Sequence, residues 1–208
     1  MEKFIALTFD DGPNTEITPQ VLDILEAYGI AASFFLIAAS ITPASAKVSR
    51  RAWEMGCEIE NHSVTHSYMS GMTPKEIRRE IDGCSEKVAE ITGEKPRFFR
   101  PPYIDVSPTL FETVDLTFIC GVGCQDWVRE VPAEERARSL LSTVKDGDLI
   151  LLHDMPGNTE TVKALRTVIP ALLERGFRFV TCGQLFDQKG VTPLRGRMYS
   201  NVLSPLPI

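Results

Sequence analysis

The chain has 208 residues, 43% hydrophobic and 24% charged, with a formal net charge of −6. This is the composition of a globular protein with a sizeable core, and the absence of a long basic run argues against nucleic acid as a partner. No stretch approaches the roughly 18 apolar residues of a membrane span.

In chain order, residues 4–9 read as the first strand. Thr18-Pro19 opens a helix with Val21, Leu22, Leu25 and Tyr28 at helical spacing, Thr18 as its cap and Gly29 past its end. Residues 31–38 form the second strand, a helix runs from Pro43 to Met55, and residues 57–61 form the third strand. Thr73-Pro74-Lys75-Glu76 is a capping box that starts a longer helix, with Ile77, Ile81, Cys84, Val88 and Ile91 on one face. Residues 97–100 are the fourth strand, Ser107-Pro108 starts a short helix, and residues 116–123 are the fifth strand. Pro132 opens another helix, residues 148–152 are the sixth strand, Thr161 to Arg175 is helical, and residues 177–181 are the seventh strand. The tail from Lys189 is rich in Pro and Gly and is expected to wrap the surface.

Short apolar strands alternating with helices predict an α/β fold with parallel strands and crossover helices, in an open sheet or a closed barrel. With no linker and no low-complexity segment, residues 1–208 are expected to form one domain, with a core over 3–186 and a tail over 187–208. The N-terminus shows no apolar segment with a small-residue cleavage site, so a cytoplasmic protein is expected, or a secreted one if a leader has been trimmed. The five cysteines, Cys57, Cys84, Cys120, Cys124 and Cys182, are odd in number and irregular in spacing, as free thiols in a reducing compartment would be.

The polar residues gather at strand ends: Asp10-Asp11, Asn61-His62, Arg100, Asp126-Trp127 and His153-Asp154. In parallel α/β architectures those ends converge on one face, where active sites are built. His62 and His66 are four apart, a spacing that puts two imidazoles on one side of a helical turn. With one of the two adjacent aspartates they make a two-His, one-carboxylate set that leaves positions open for water and substrate. The other aspartate is then free as a base, although Asp10-Asp11-Gly12-Pro13 taken alone also reads as a plain turn. Trp53 reads as core or surface cover. Met69 and Met72 read as groove lining or as a loop packed on the core. Arg78-Arg79, alternating with Glu76 and Glu80, read as a solvated helix face.

Five segments in order resemble the polysaccharide deacetylases of the NodB-homology type, carbohydrate esterase family 4. They are Thr8-Phe9-Asp10-Asp11-Gly12-Pro13, His62-Ser63-Val64-Thr65-His66, Arg100-Pro101-Pro102-Tyr103, Asp126-Trp127 and Leu151-Leu152-His153-Asp154. The resemblance implies a distorted (β/α) barrel with about seven parallel strands. It implies one divalent metal ion held by Asp11, His62 and His66, with Zn as the default and Co, Fe, Ni or Mn as alternatives. Asp10 would be the general base, positioned and tuned by Arg100, and His153 the general acid. The Tyr103 backbone N–H would stabilise the oxyanion, Asp126 would be a supporting partner, and Trp127, Leu151 and Pro102 would shape the pocket. Asp126 or Asp154 would keep His153 protonated. The implied reaction is hydrolysis of N- or O-linked acetyl groups on an acetylated carbohydrate by water activated at the cation.

The third motif departs from the family pattern, since Ile104 follows Tyr103 where Gly is frequent, and Cys124-Gln125 precede Asp126 where the family is more polar. The short chain leaves little room for groove-forming insertions, so a shallow site for a small substrate is expected. Two other functions use the same residues: an amidohydrolase acting on a non-sugar amide or ureide, and a catalytically inactive carbohydrate-binding protein. A non-haem iron oxygenase also uses two His and a carboxylate, but on all-β folds that the strand–helix alternation disfavours.

Overall fold

The first strand sets the pattern for the molecule. β1 (Lys3–Asp10) sends Ile5, Leu7 and Phe9 into one hydrophobic cluster and Phe4 and Ala6 into another, as the two-residue period of a strand requires. In the computed structural model, which describes residues 2–206, it is followed by α1 (Thr18–Tyr28), β2 (Ser33–Leu36), α2 (Pro43–Glu54), β3 (Glu58–Asn61), α3 (Pro74–Thr92) and β4 (Phe98–Phe99). Then come α4 (Pro108–Thr113), β5 (Thr117–Ile119), β6 (Val122–Gly123), α5 (Ala133–Thr143), β7 (Leu149–His153) and α6 (Thr159–Glu174). The chain ends with β8 (Phe177–Phe179), α7 (Cys182–Gln188), β9 (Met198–Asn201) and β10 (Ser204–Leu206).

The strands pair in the order β10-β9-β5-β4-β3-β2-β1-β7-β6, with β8 also on β1. All pairings are parallel except the β9–β10 hairpin. An antiparallel bridge between Asp148, ahead of β7, and Asn201 of β9 brings the two sides of the sheet together. The sheet is thus curled into the distorted (β/α) barrel that the motifs imply. Register places Asp10 level with His153 on β7 and with Phe35 on β2.

The outer face of the sheet packs under α1, α3, α5 and α6, through Val21, Leu25, Val88, Leu140, Leu165 and Ile169 among others. Inside, Phe4, Ala6, Phe35, Phe98 and Ile119 meet Leu185 and Phe186 of α7, which closes the end of the barrel opposite the catalytic motifs. Burying each Phe or Leu of this plug contributes about 1.5–3 kcal/mol. Glu58 of β3 seats α7 by accepting the Gly183 N–H at 3.1 Å and the Ser33 hydroxyl at 2.9 Å.

Several expectations need correction. The fifth strand is two strands, because the backbone turns at Gly121 with φ 146°, so that β5 pairs with β4 and β9 while β6 pairs with β7. A Cβ at Gly121 would lie 2.7 Å from the Leu151 Cβ, so only glycine allows the crossing. The tail does not merely wrap the surface: residues 198–206 add β9 and β10 to the sheet, and Tyr199 is buried in the barrel. α7 was unforeseen, although Thr181 and Gln184 form a capping box that signals it. α1 has Ile17 at its N-cap without a side-chain bond, and the Thr18 hydroxyl goes instead to Asp154. His62 to His66 is not a helical turn. Met69 is core, Trp53 covers the outer cluster, and all five cysteines are free.

Candidate active site

Asp10 ends β1 and is 2% exposed, and Arg100 directly after β4 is fully buried. The Arg100 guanidinium donates from Nη1 to Asp10 Oδ1, from Nη2 to the Thr8 hydroxyl at 2.8 Å and from Nε to the Cys120 carbonyl at 2.7 Å. Its flat face lies 4.3 Å from the centroid of the Phe35 ring. The Thr8 hydroxyl spends its own proton on the Ile150 carbonyl at 2.7 Å, so it must accept from Arg100. One oxygen of Asp10 is thereby fixed, and the other faces His62 Nε2 at 3.7 Å.

The Asp11 Oδ1 lies 3.4 Å from His62 Nε2 and 3.2 Å from His66 Nε2. The backbone is in the left-handed region at Asp11 (φ 71°), Ser63 (φ 67°) and His66 (φ 58°), a conformation that must be held by its surroundings. Asn61 Oδ1 accepts the Ser63 N–H at 2.8 Å, and Ser63 Oγ accepts the His66 N–H at 3.0 Å. Glu80 on α3 accepts the N–H groups of Val64 and Thr65 and the Thr65 hydroxyl, at 3.0, 2.8 and 3.0 Å. Glu80 is 4% exposed, so it belongs to this site and not to the solvated face on which its sequence neighbours Arg78 and Arg79 lie.

His62 Nδ1 lies 2.6 Å from the Arg100 carbonyl, which can only accept, so Nδ1 carries the proton and the Nε2 lone pair points at Asp11. The three ligand atoms lie within 4.8 Å of one another. Asp11 Oδ1 is buried with no hydrogen-bond partner, which is the condition of an oxygen arranged for a cation. Burial pushes His66 below its usual value, toward the neutral form that binds metals. The donor set therefore fits a divalent cation.

On the other side of β1, Asp126 is fully buried. It accepts the His153 backbone N–H at 2.7 Å and His153 Nδ1 at 2.8 Å. The Thr161 hydroxyl donates to Asp126 Oδ2 at 2.9 Å, and Asn158 Nδ2 donates to the His153 carbonyl at 2.8 Å. Arg136, 1% exposed, donates to Asn158 Oδ1 at 2.6 Å and to Thr161 Oγ1 at 2.8 Å, which fixes the direction of both groups. Burial alone would lower the His153 pKa, but Asp126, then Asp10 and Asp11, raise it to about 9. Asp154 plays no part in this: it accepts the Thr18 hydroxyl, its Oδ1 has no partner, and burial pushes it to about 7. Of the two aspartates suggested as the partner of His153, Asp126 has that place. No local sequence pattern marks Arg136, Asn158 or Thr161.

These groups open into a cavity of about 320 Å³ lined by Asp10, Asp11, His62, His66, Tyr103 and His153, with Trp127, Leu151, Pro101 and Ile104. Pro102 is buried in the 3-10 turn Pro102–Ile104, so its neighbour Pro101 lines the pocket instead. Trp127, half exposed, meets His153 edge-on with centroids 5.6 Å apart. Ten of the expected site residues thus converge on one strand-end face, and Pro102 stands just behind it.

The family model described as Polysaccharide deacetylase matches residues 1–117. The chain is 45% identical over 202 residues to a bifunctional xylanase/deacetylase of Pseudobutyrivibrio xylanivorans, covering 97% of this chain and 33% of that protein. It therefore spans about a third of that relative's length. It is 34% identical over 197 residues to a peptidoglycan-N-acetylglucosamine deacetylase of Bacillus cereus, covering 90% of each. Its structure is similar to that of a family 4 acetyl xylan esterase from Clostridium thermocellum in complex with a cobalt ion, with a TM-score of 0.93 and 42% identity over 96% of this chain and 99% of that one. With its motifs on one face of the matching barrel, the chain belongs to the polysaccharide deacetylase family.

Proposed function

We propose that the protein removes O-linked acetyl groups from an acetylated xylan-type polysaccharide, using one divalent cation held by Asp11, His62 and His66. The observation that carries the reaction is the placement of Asp10 and His153, level with each other on adjacent strands, with the unpartnered Asp11 Oδ1 and the two imidazole Nε2 atoms in the same cavity. The substrate assignment is supported by the similarity to an acetyl xylan esterase and to a deacetylase that is joined to a xylanase in one protein.

When bound, the cation polarises the acetyl carbonyl and lowers the pKa of water. The free oxygen of Asp10 takes a proton from the attacking water, while Arg100 holds its other oxygen still. The Tyr103 backbone N–H, at the cavity rim, donates to the oxyanion. His153, protonated below about pH 9, donates from Nε2 to the departing sugar oxygen, because Asp126 occupies Nδ1. Trp127 and Leu151 enclose the acetyl methyl group and exclude water around it.

The experiment is acetate release from acetylated xylan, chitooligosaccharides and an acetylated monosaccharide, each with metal-loaded and chelated enzyme. Chelator-sensitive release from acetylated xylan supports the assignment. Release only from the N-acetylated substrates overturns the ester and retains the deacetylase. No release from any of them, with metal shown to be bound, turns the reading to a non-sugar amide.

A further inference from the structure

Tyr103 lines the cavity, and Tyr68 stands face to face with it. Tyr68 is 66% exposed and Tyr103 56% exposed, and their rings are stacked with centroids 4.1 Å apart and planes 14° apart. Tyr103 also meets the His66 ring edge-on, with centroids 4.6 Å apart, so the pair adjoins a metal-ligand imidazole. The mechanism above uses only the backbone of Tyr103 and no part of Tyr68.

The pair is held rigidly. Met69, the residue after Tyr68, is fully buried in the cluster under α3 and α4. The Asp105 carboxylate accepts the N–H groups of Met69 and Ser70 at 2.7 and 2.6 Å, tying the loop that carries Tyr68 to the loop that carries Tyr103. Burial raises the Asp105 pKa, but the bonds from Ser70 and Met69 outweigh it and bring the carboxyl below its usual value. Tyr103 (φ 58°) and Ile104 (φ 53°) are both left-handed, which is unfavourable for a β-branched residue and is sustained by the Ile104 N–H to the Pro101 carbonyl and the Asp105 N–H to the Pro102 carbonyl, each 3.0 Å. The chain thus holds a strained turn and a charged clasp in place, and their combined product is an ordered aromatic face in water beside a sugar-processing cavity.

A flat aromatic ring presented to solvent at fixed orientation matches the C–H face of a pyranose, and its order is set before binding. We propose that the outer face of Tyr68, backed by Tyr103, seats the pyranose ring next to the acetylated one, so that the enzyme is built for an oligomer or polymer and not for an acetylated monosaccharide. This rests on the carbohydrate reading above, and it opposes the small-substrate site expected from the chain length.

The test compares kcat/KM for acetylated xylo-oligosaccharides with kcat/KM for O-acetylated xylose, a monosaccharide that carries no neighbouring pyranose. Tyr68→Ala is expected to lower the ratio of the two about three- to tenfold, the range for one aromatic contact, through KM on the oligosaccharide. Tyr68→Phe, which keeps the ring, is expected to retain the wild-type ratio, and Asp105→Ala, which frees the loop, to lower it without altering either ring. An unchanged ratio in both Tyr68→Ala and Asp105→Ala overturns the platform. So does a loss in Tyr68→Phe equal to that in Tyr68→Ala. Wild-type enzyme that cleaves p-nitrophenyl acetate but no acetylated carbohydrate overturns the carbohydrate reading itself, and the platform with it.

Discussion

His62 and His153 stand on either side of β1, one after β3 and the other at the end of β7, and both have Nδ1 engaged. The acceptor is what differs. His62 donates to the neutral carbonyl of Arg100, which leaves its Nε2 lone pair available to a cation. His153 donates to the Asp126 carboxylate, which holds a second proton on the ring up to about pH 9. The same side chain becomes a ligand on one wall and an acid on the other, and the choice is made by a single atom behind each ring.

The largest effects come from removing each ring. His62→Ala is expected to lose both the cation after dialysis and essentially all acetate release. His153→Ala is expected to keep the cation and to lower kcat about 10²–10⁴-fold, the range for a general acid. Metal stoichiometry measured beside acetate release separates the two. Equal metal loss in both variants would mean that the walls do not divide the labour.

Exchanging the acceptor is the finer version of that experiment. Asp126→Asn keeps a group of the same shape behind His153 and removes its charge. The raised pKa of His153 means that the acid is present below about pH 9 and lost above it. The variant should therefore move the alkaline limb of the kcat/KM profile to lower pH and reduce activity about 10–100-fold near neutrality. The same sign applies to stability: the His153–Asp126 contribution is complete below the ordinary histidine pKa and disappears as pH rises through about 9. A wild-type alkaline limb that stays in place in Asp126→Asn would remove His153 from the role of acid.

The two walls were not equally legible in the sequence. His62, His66, Asp10, Asp11 and Arg100 sit at strand ends within recognisable motifs, and the strands that carry them are short apolar runs bounded by helix signals. The conformation between His62 and His66 was misread, because i, i+4 spacing suggests a helix and nothing local reveals three bonds to Glu80 at a separation of 15 or 16 residues. The support behind His153 is more distant still, with Thr161 reaching Asp126 across 35 residues and Arg136 reaching Thr161 across 25. Periodicity cannot report such partnerships, since they exist only after the barrel has brought α5, α6 and the loop after β6 together. The tail was hidden for a different reason: its Pro and Gly content masks a strand whose partner, β5, lies some 80 residues earlier. Glu80→Gln tests the loop on the metal wall. It should weaken cation affinity about tenfold, measured by competition with a chelator, while leaving the His153 limb of the pH profile unmoved.

The smallest effect concerns the second aspartate beside His153. Asp154 is fully buried, its Oδ1 has no partner, and a Cβ on Gly12 would lie 2.8 Å from that oxygen, so only glycine leaves it room at position 12. Its carboxyl is raised to about 7, so between about 4 and 7 the folded state binds more proton than the unfolded chain. Stability must then fall as pH rises through that window, the reverse of the usual salt-bridged aspartate. Asp154→Asn removes the charge and keeps an acceptor for the Thr18 hydroxyl. It should raise Tm by a few degrees at pH 8, equivalent to about 1–2 kcal/mol, and leave it unchanged near pH 4, as read by calorimetry at the two values. If the gain were as large at pH 4 as at pH 8, it would come from packing, and the contrast between a fully bonded Asp126 and a half-bonded Asp154 would carry no electrostatic meaning.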